Sequence, residues 1–157
     1  MKKRVLLTLL AFTLVNVLFV SCPITEEQQK RALEGTWVDA YGATIDFNNG
    51  KFISNHVSIP YLKGTYTVSG AALTLTIIDV WGGKWDNGFD LQNRYYSKAE
   101  IKEIFIQEYA KVGYEWTADA NRNFEDMFTQ TMTFEVNGNT LTLTEEGSQQ
   151  PKKYTRR

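Results

Sequence analysis

Apolar and polar residues alternate along most of this chain with a period of two. In the segment 132–144, Met132, Phe134 and Val136 fall on one face, and Thr133 and Glu135 on the other. Leu141 and Leu143 then alternate with Thr140, Thr142 and Thr144. Period two with threonine on the polar face marks half-buried antiparallel strands. The pattern also repeats without a gap, YTVSGAALTLT at 66–76 matching FEVNGNTLTLT at 134–144. Ser69-Gly70 and Asn137-Gly138 supply two-residue turn signals, so each copy is a hairpin.

The same grammar covers 35–79. GTWVDAY places Trp37 and Tyr41 on one face, and a strand over 43–47 follows Gly42. Asn48-Asn49-Gly50 turns the chain into 51–56. The strand 61–69 aligns Leu62, Gly64, Tyr66 and Val68, and Leu73, Leu75 and Ile77 continue the pattern. A final strand over 152–156 brings the total to about eight. Short connections favour a meander, and closing it into a barrel removes the exposed edges. The predicted fold is therefore all-β, an eight-stranded antiparallel meander barrel. Strands this short, with a second face of threonine and charge, do not suit a barrel embedded in an outer membrane.

Residues 80–129 interrupt the meander between strands five and six. Ser97 and Glu100 form a capping box, and Ile101, Ile104, Phe105, Tyr109 and Val112 recur at helical spacing before Gly113. A second short helix is expected over 118–128, with Phe124 and Phe128 four residues apart. Trp81, Trp85 and Phe89 recur every four residues among glycines and polar groups, as in a loop that presents aromatics. The insertion either covers the sheet from outside or caps the barrel mouth. In the second case Trp81, Trp85, Phe89, Phe105 and Tyr109 are the candidate ligand contacts.

At the N-terminus, Lys2, Lys3 and Arg4 precede an apolar run over 5–20, too short for a membrane span and suited to a cleaved export signal. Leu18-Phe19-Val20-Ser21-Cys22 resembles a bacterial lipobox. That resemblance implies a lipid on Cys22 and removal of residues 1–21. The protein is then anchored in a bacterial cell envelope, facing the periplasm or the outside. Residues 22–34 read as a polar tether with one helical turn started by Thr25 and Gln28. Residues 35–157 form the barrel domain.

Composition narrows the function. After removal of residues 1–21, 136 residues remain with 14 basic and 18 acidic side chains, a formal net charge of −4. No basic aromatic-rich stripe is present, which argues against nucleic acid as a partner. The basic tail, Lys152, Lys153, Arg156 and Arg157, reads as a solvated strand end. Cys22 is the only cysteine, so no disulfide forms within the chain. His56 is the only histidine, which leaves little for a zinc site or a catalytic triad. Asp86, Asn87 and Asp90 lack EF-hand spacing, and GGK at 82–84 is not a P-loop. No catalytic residue, metal site or cofactor is assigned, and no enzyme is expected.

Gly35-Thr36-Trp37 resembles the Gly-X-Trp signature of lipocalins, and GTY at 64–66 with the two hairpins resembles bacterial lipocalin-like lipoproteins. The resemblance implies that Trp37 is structural, packed at the closed end under Arg156 as a cation–π pair. It also implies a small, largely apolar ligand inside the barrel. The competing reading is a barrel filled solid by Tyr41, Phe47, Tyr66, Leu75 and Phe134. The aromatic insertion then contacts a protein or a glycan.

Overall fold

The computed structural model describes residues 25–55, 61–85, 90–148 and 150–157. The signal segment, Cys22, His56, Asp86, Asn87 and Phe89 lie outside the described residues. The elements in chain order are α1 (Glu26–Leu33), β1 (Gly35–Asp39), β2 (Thr44–Asn48), β3 (Lys51–Asn55), β4 (Leu62–Ser69) and β5 (Ala72–Trp81). There follow β6 (Tyr95–Ser97), α2 (Lys98–Lys111), α3 (Ala118–Met127), β7 (Thr129–Asn137), β8 (Thr140–Glu145) and β9 (Lys152–Arg156). Every pairing is antiparallel, and the order β4-β3-β2-β1-β9-β8-β7-β5 closes through a β4–β5 pairing. Eight strands thus form a closed barrel. Strand β6 lies outside that ring, paired with the far end of β5 at Asp79, Val80 and Trp81.

The register carries one inward row around the ring. Trp37 faces Ile45, Phe47 faces Phe52, Phe52 faces Gly64, and Tyr66 faces Leu75. The row continues from Leu73 to Met132, Phe134 to Leu143, Leu141 to Tyr154 and Arg156 back to Trp37. Directly opposed residues share a face, so the pattern read from the sequence fixes the interior. Tyr41 is the exception: β1 ends at Asp39, and Tyr41 stands 86% exposed in the turn that follows. The carboxylate of Asp39 holds that turn by accepting from the backbone N–H groups of Tyr41 and Ala43.

The hairpin turns differ in type. Asn49 and Gly50 both have positive φ, as a type I′ turn requires. In the two repeated hairpins the loop pairs are Gly70-Ala71 and Gly138-Asn139, because Ser69 faces Ala72 and Asn137 faces Thr140. Only their glycines have positive φ, which makes them type II′. Glycine leads each loop rather than ending it, one residue later than the Ser69-Gly70 and Asn137-Gly138 reading.

These three tight turns lie at one end of the barrel, and α1 closes the same end. The capping box of Thr25 and Gln28 is formed, and the helix it starts runs eight residues rather than one turn. Leu33 is fully buried, and the Trp37 indole N–H donates to its carbonyl at 2.7 Å. The Arg156 guanidinium lies over the Trp37 ring, 4.4 Å from its centroid. It also donates to the carbonyls of Ala32 at 2.6 Å and Glu34 at 3.0 Å. One cation therefore satisfies orphan carbonyls at the helix C-terminus, where positive charge is favoured. Above this plug, Phe47, Phe52, Tyr66, Leu73 and Leu141 fill the closed half. Burial pushes the Tyr66 phenol up from its ordinary value.

Gly64 makes this layer possible. A Cβ there would stand 2.0 Å from the Thr76 carbonyl oxygen and 2.6 Å from the Phe52 ring, where the β4–β5 register shifts. Gly64→Ala is expected to cost about 1–3 kcal/mol by overpacking. Trp37→Ala is expected to cost about 3–5 kcal/mol by opening a cavity. Chemical denaturation of each variant measures both.

Candidate functional site

The opposite end of the barrel is built from long connections. The turn at 40–43, the end of β3 at Asn55, the start of β4 at Leu62, the end of β5 at Trp81, the start of β7 at Thr129, the end of β8 at Glu145 and the start of β9 at Lys152 all lie there. Inward side chains at this end do not fill the ring. They enclose a cavity of about 310 Å³. Ile45, Leu62, Leu75, Met132 and Leu143 make its apolar wall. Ser54, Gln130, Glu145, Gln150, Lys152 and Tyr154 bring polar atoms to it. A cavity of this size lies at the small end of the range for small-molecule sites, and apolar walls with a few polar groups are the usual lining.

The polar side of the cavity belongs to β8 and β9. Glu145 faces Met132, and Lys152 faces Leu143, so both point inward. Lys152 Nζ lies 2.5 Å from Glu145 Oε1. That bond holds the Lys152 ammonium above its ordinary pKa. Tyr154 is raised chiefly by burial; Lys152 pulls the other way, while Asp39 and Glu145 add to the rise. The phenol is therefore neutral and available as both donor and acceptor.

The insertion packs over the part of the mouth next to β5. Val80 faces Leu62 on one side and Tyr96 on the other, which places Tyr96 on the inward face of the sheet. The Phe128 carbonyl accepts from the Ile77 N–H, just ahead of β7. Ile101 from α2, Phe124 from α3 and Phe128 after it are buried in the same core. An aromatic edge ties the two helices together, Phe124 lying 5.7 Å from Phe105; Phe124 also meets Trp116 of the connecting segment at 6.0 Å and Phe128 at its own helix end at 4.8 Å, centroid to centroid. Glu125 on α3 bridges to Lys98 and Lys102 on α2.

The residues picked out of the insertion fall into separate places. Trp81 ends β5 on the outer face, edge-on to Tyr61 at 6.3 Å and Tyr95 at 5.0 Å, with Lys63 over the Tyr95 ring. The Trp85 indole N–H donates to the Trp81 carbonyl at 3.3 Å, and its ring packs partly buried against the core. Phe105 packs inside the helix pair, and Tyr109 sits at its tip, 38% exposed and edge-on to Trp116. Among the described candidates, none lines the cavity. The residues that do line it carry a weak sequence signal. Lys152, Tyr154 and Arg156 alternate in the basic tail, and the inward face of β9 is their shared face.

Among the described residues, no group of metal-ligating side chains is assembled, and no helix is long and apolar enough to cross a membrane. Comparison with protein-family models, with characterised proteins and with solved structures finds no match.

Two predictions follow from the way the insertion is held. The Glu100 carboxyl is kept below its ordinary range by the backbone N–H and hydroxyl of Ser97 and by Arg94. Glu125 is lowered by Lys98 and Lys102. A depressed carboxyl contributes stability above its unfolded pKa and loses it as pH falls through the folded one. Protection factors in α2 and α3, exchange rates taken relative to the intrinsic rate at each pH, are expected to fall as pH drops below the ordinary glutamate range, before those of β7 and β8 change. Replacing Trp81 and Trp85 together with alanine is expected to lower the thermal midpoint, which a thermal melt measures, because the two rings pack against Tyr61, Tyr95 and the core.

Proposed function

We propose that this protein is a lipocalin-like binding protein that holds a small, largely apolar ligand in the open half of its barrel. The observation that carries this reading is the uneven filling of the ring. One half is packed solid around Trp37, Phe47, Phe52 and Tyr66. The other keeps about 310 Å³ with an apolar wall. Eight strands suffice either to be filled by side chains or to hold one small ligand, and here each half adopts one of these solutions. The work done is burial, with the polar side of the mouth orienting the head of the ligand. This is binding rather than catalysis.

The lipobox-like segment ending at Cys22 supports a lipid-anchored placement in a bacterial envelope. A second reading, contact with a protein or glycan, is favoured by the helix tip, where Val112 and Tyr114 are exposed beside Tyr109.

Native mass spectrometry of residues 24–157, purified gently from the source envelope, tests the first reading. A discrete adduct that organic extraction removes is the expected result. Ser54→Phe places a ring in the cavity at a partly exposed position. It is expected to abolish the adduct while circular dichroism stays unchanged. A clean apo mass in the parent protein, with no binding across a panel of apolar ligands, transfers the function to the helix tip.

A further inference from the structure

We infer that the mouth selects amphiphiles with an uncharged, hydrogen-bonding head, such as an alcohol or an amide, and that the Glu145–Lys152 pair is the filter. This rests on the binding reading above and names the class of ligand it takes.

The argument begins with placement. Glu145 and Lys152 flank the 146–151 loop, both point inward by register, and both line the cavity. They are already bonded to one another at 2.5 Å. The ligand head therefore meets a pair whose charges cancel, not a lone cation or a lone anion. A carboxylate head has to share the Lys152 ammonium with Glu145 and stand close to a like charge. Asp39, opposite Tyr154 across the β1–β9 pairing, adds a second carboxylate to the same side. An ammonium head meets Lys152 in the same way.

A neutral head pays neither penalty. One bond between Glu145 and Lys152 leaves further acceptor sites on the carboxylate and further N–H donors on the ammonium. Ser54, Gln130, Gln150 and Tyr154 each bring side chains able to donate and accept. A hydroxyl or amide on an apolar chain can use any of these without breaking the pair. Both members of the pair are more than half exposed, at 56% and 57%. The selection is therefore modest and weakened by salt.

Calorimetric titration with octan-1-ol, sodium octanoate and octylammonium chloride, at neutral pH and low salt, tests this. The wild-type protein is expected to bind the alcohol tightest. Glu145→Gln is expected to raise octanoate affinity relative to the alcohol by roughly two- to fivefold. Lys152→Gln is expected to do the same for octylammonium. The charge-swapped double variant, Glu145→Lys with Lys152→Glu, is expected to restore the wild-type order. Octanoate binding to the wild type as tightly as the alcohol overturns the filter, as does an unmoved ratio in both single variants. In either case binding itself stands. If none of the three probes binds, the cavity reading falls, and the filter with it.

Discussion

Everything in this barrel depends on closing a ring of strands at one seam. The first strand and the last must meet, and β1 and β9 share only a short register around Trp37, Val38 and Asp39. The Arg156 guanidinium over the Trp37 ring reinforces that seam from inside. It joins three pieces of chain distant in sequence: the end of α1, the first strand and the last. Its bonds to the Ala32 and Glu34 carbonyls mean that seam and plug form together. A chain without this contact has a helix to dock and a ring to close, each without the other's support.

The second constraint is volume. An eight-stranded ring has a limited interior, and large side chains exhaust it quickly. Trp37, Phe47, Phe52 and Tyr66 occupy the plugged half so fully that β4 has to place a glycine, Gly64, beneath the Phe52 ring. Towards the mouth the inward positions turn to Ser54, Leu62, Gln130 and Lys152, smaller or more flexible, and the interior opens. The hollow is thus a gradient of residue size along each strand. No single residue creates it.

Much of this was legible from alternation. The repeat at 66–76 and 134–144 marked two hairpins, and the structure sets β5 directly beside β7. The Ser97–Glu100 capping box marked the start of α2. The cavity was hard to read for a physical reason. Inward polar residues at a barrel mouth look the same in sequence as outward polar residues on the solvent face. Lys152 reads as a solvated strand end and is 57% exposed, and what the sequence does not show is that β9 also turns it toward the cavity. The insertion's aromatics stand out in the sequence, but their surroundings do not: Trp81, Trp85, Phe105 and Tyr109 are not among the residues that line the cavity. Trp85 is conspicuous among glycines and Phe105 at helical spacing, and bulky rings are also what two short helices need to pack on a sheet. Alternation places Tyr41 inward only when it is extended two residues past the point where the Asp39 turn ends β1.

Helix α1 gives the barrel two unlike ends, one plugged and one open. The helix is about 12 Å long and docks at the plugged end, with Thr25 as its N-cap. Cys22 is three residues ahead of that cap. On the proposed lipid-anchored reading, an anchor on Cys22 would hold the sealed base nearer the bilayer than the mouth, a cup standing on its foot. On that same reading, whatever the cup held would exchange with the aqueous compartment or with another macromolecule arriving from it. Lipid in the anchoring leaflet faces only the base.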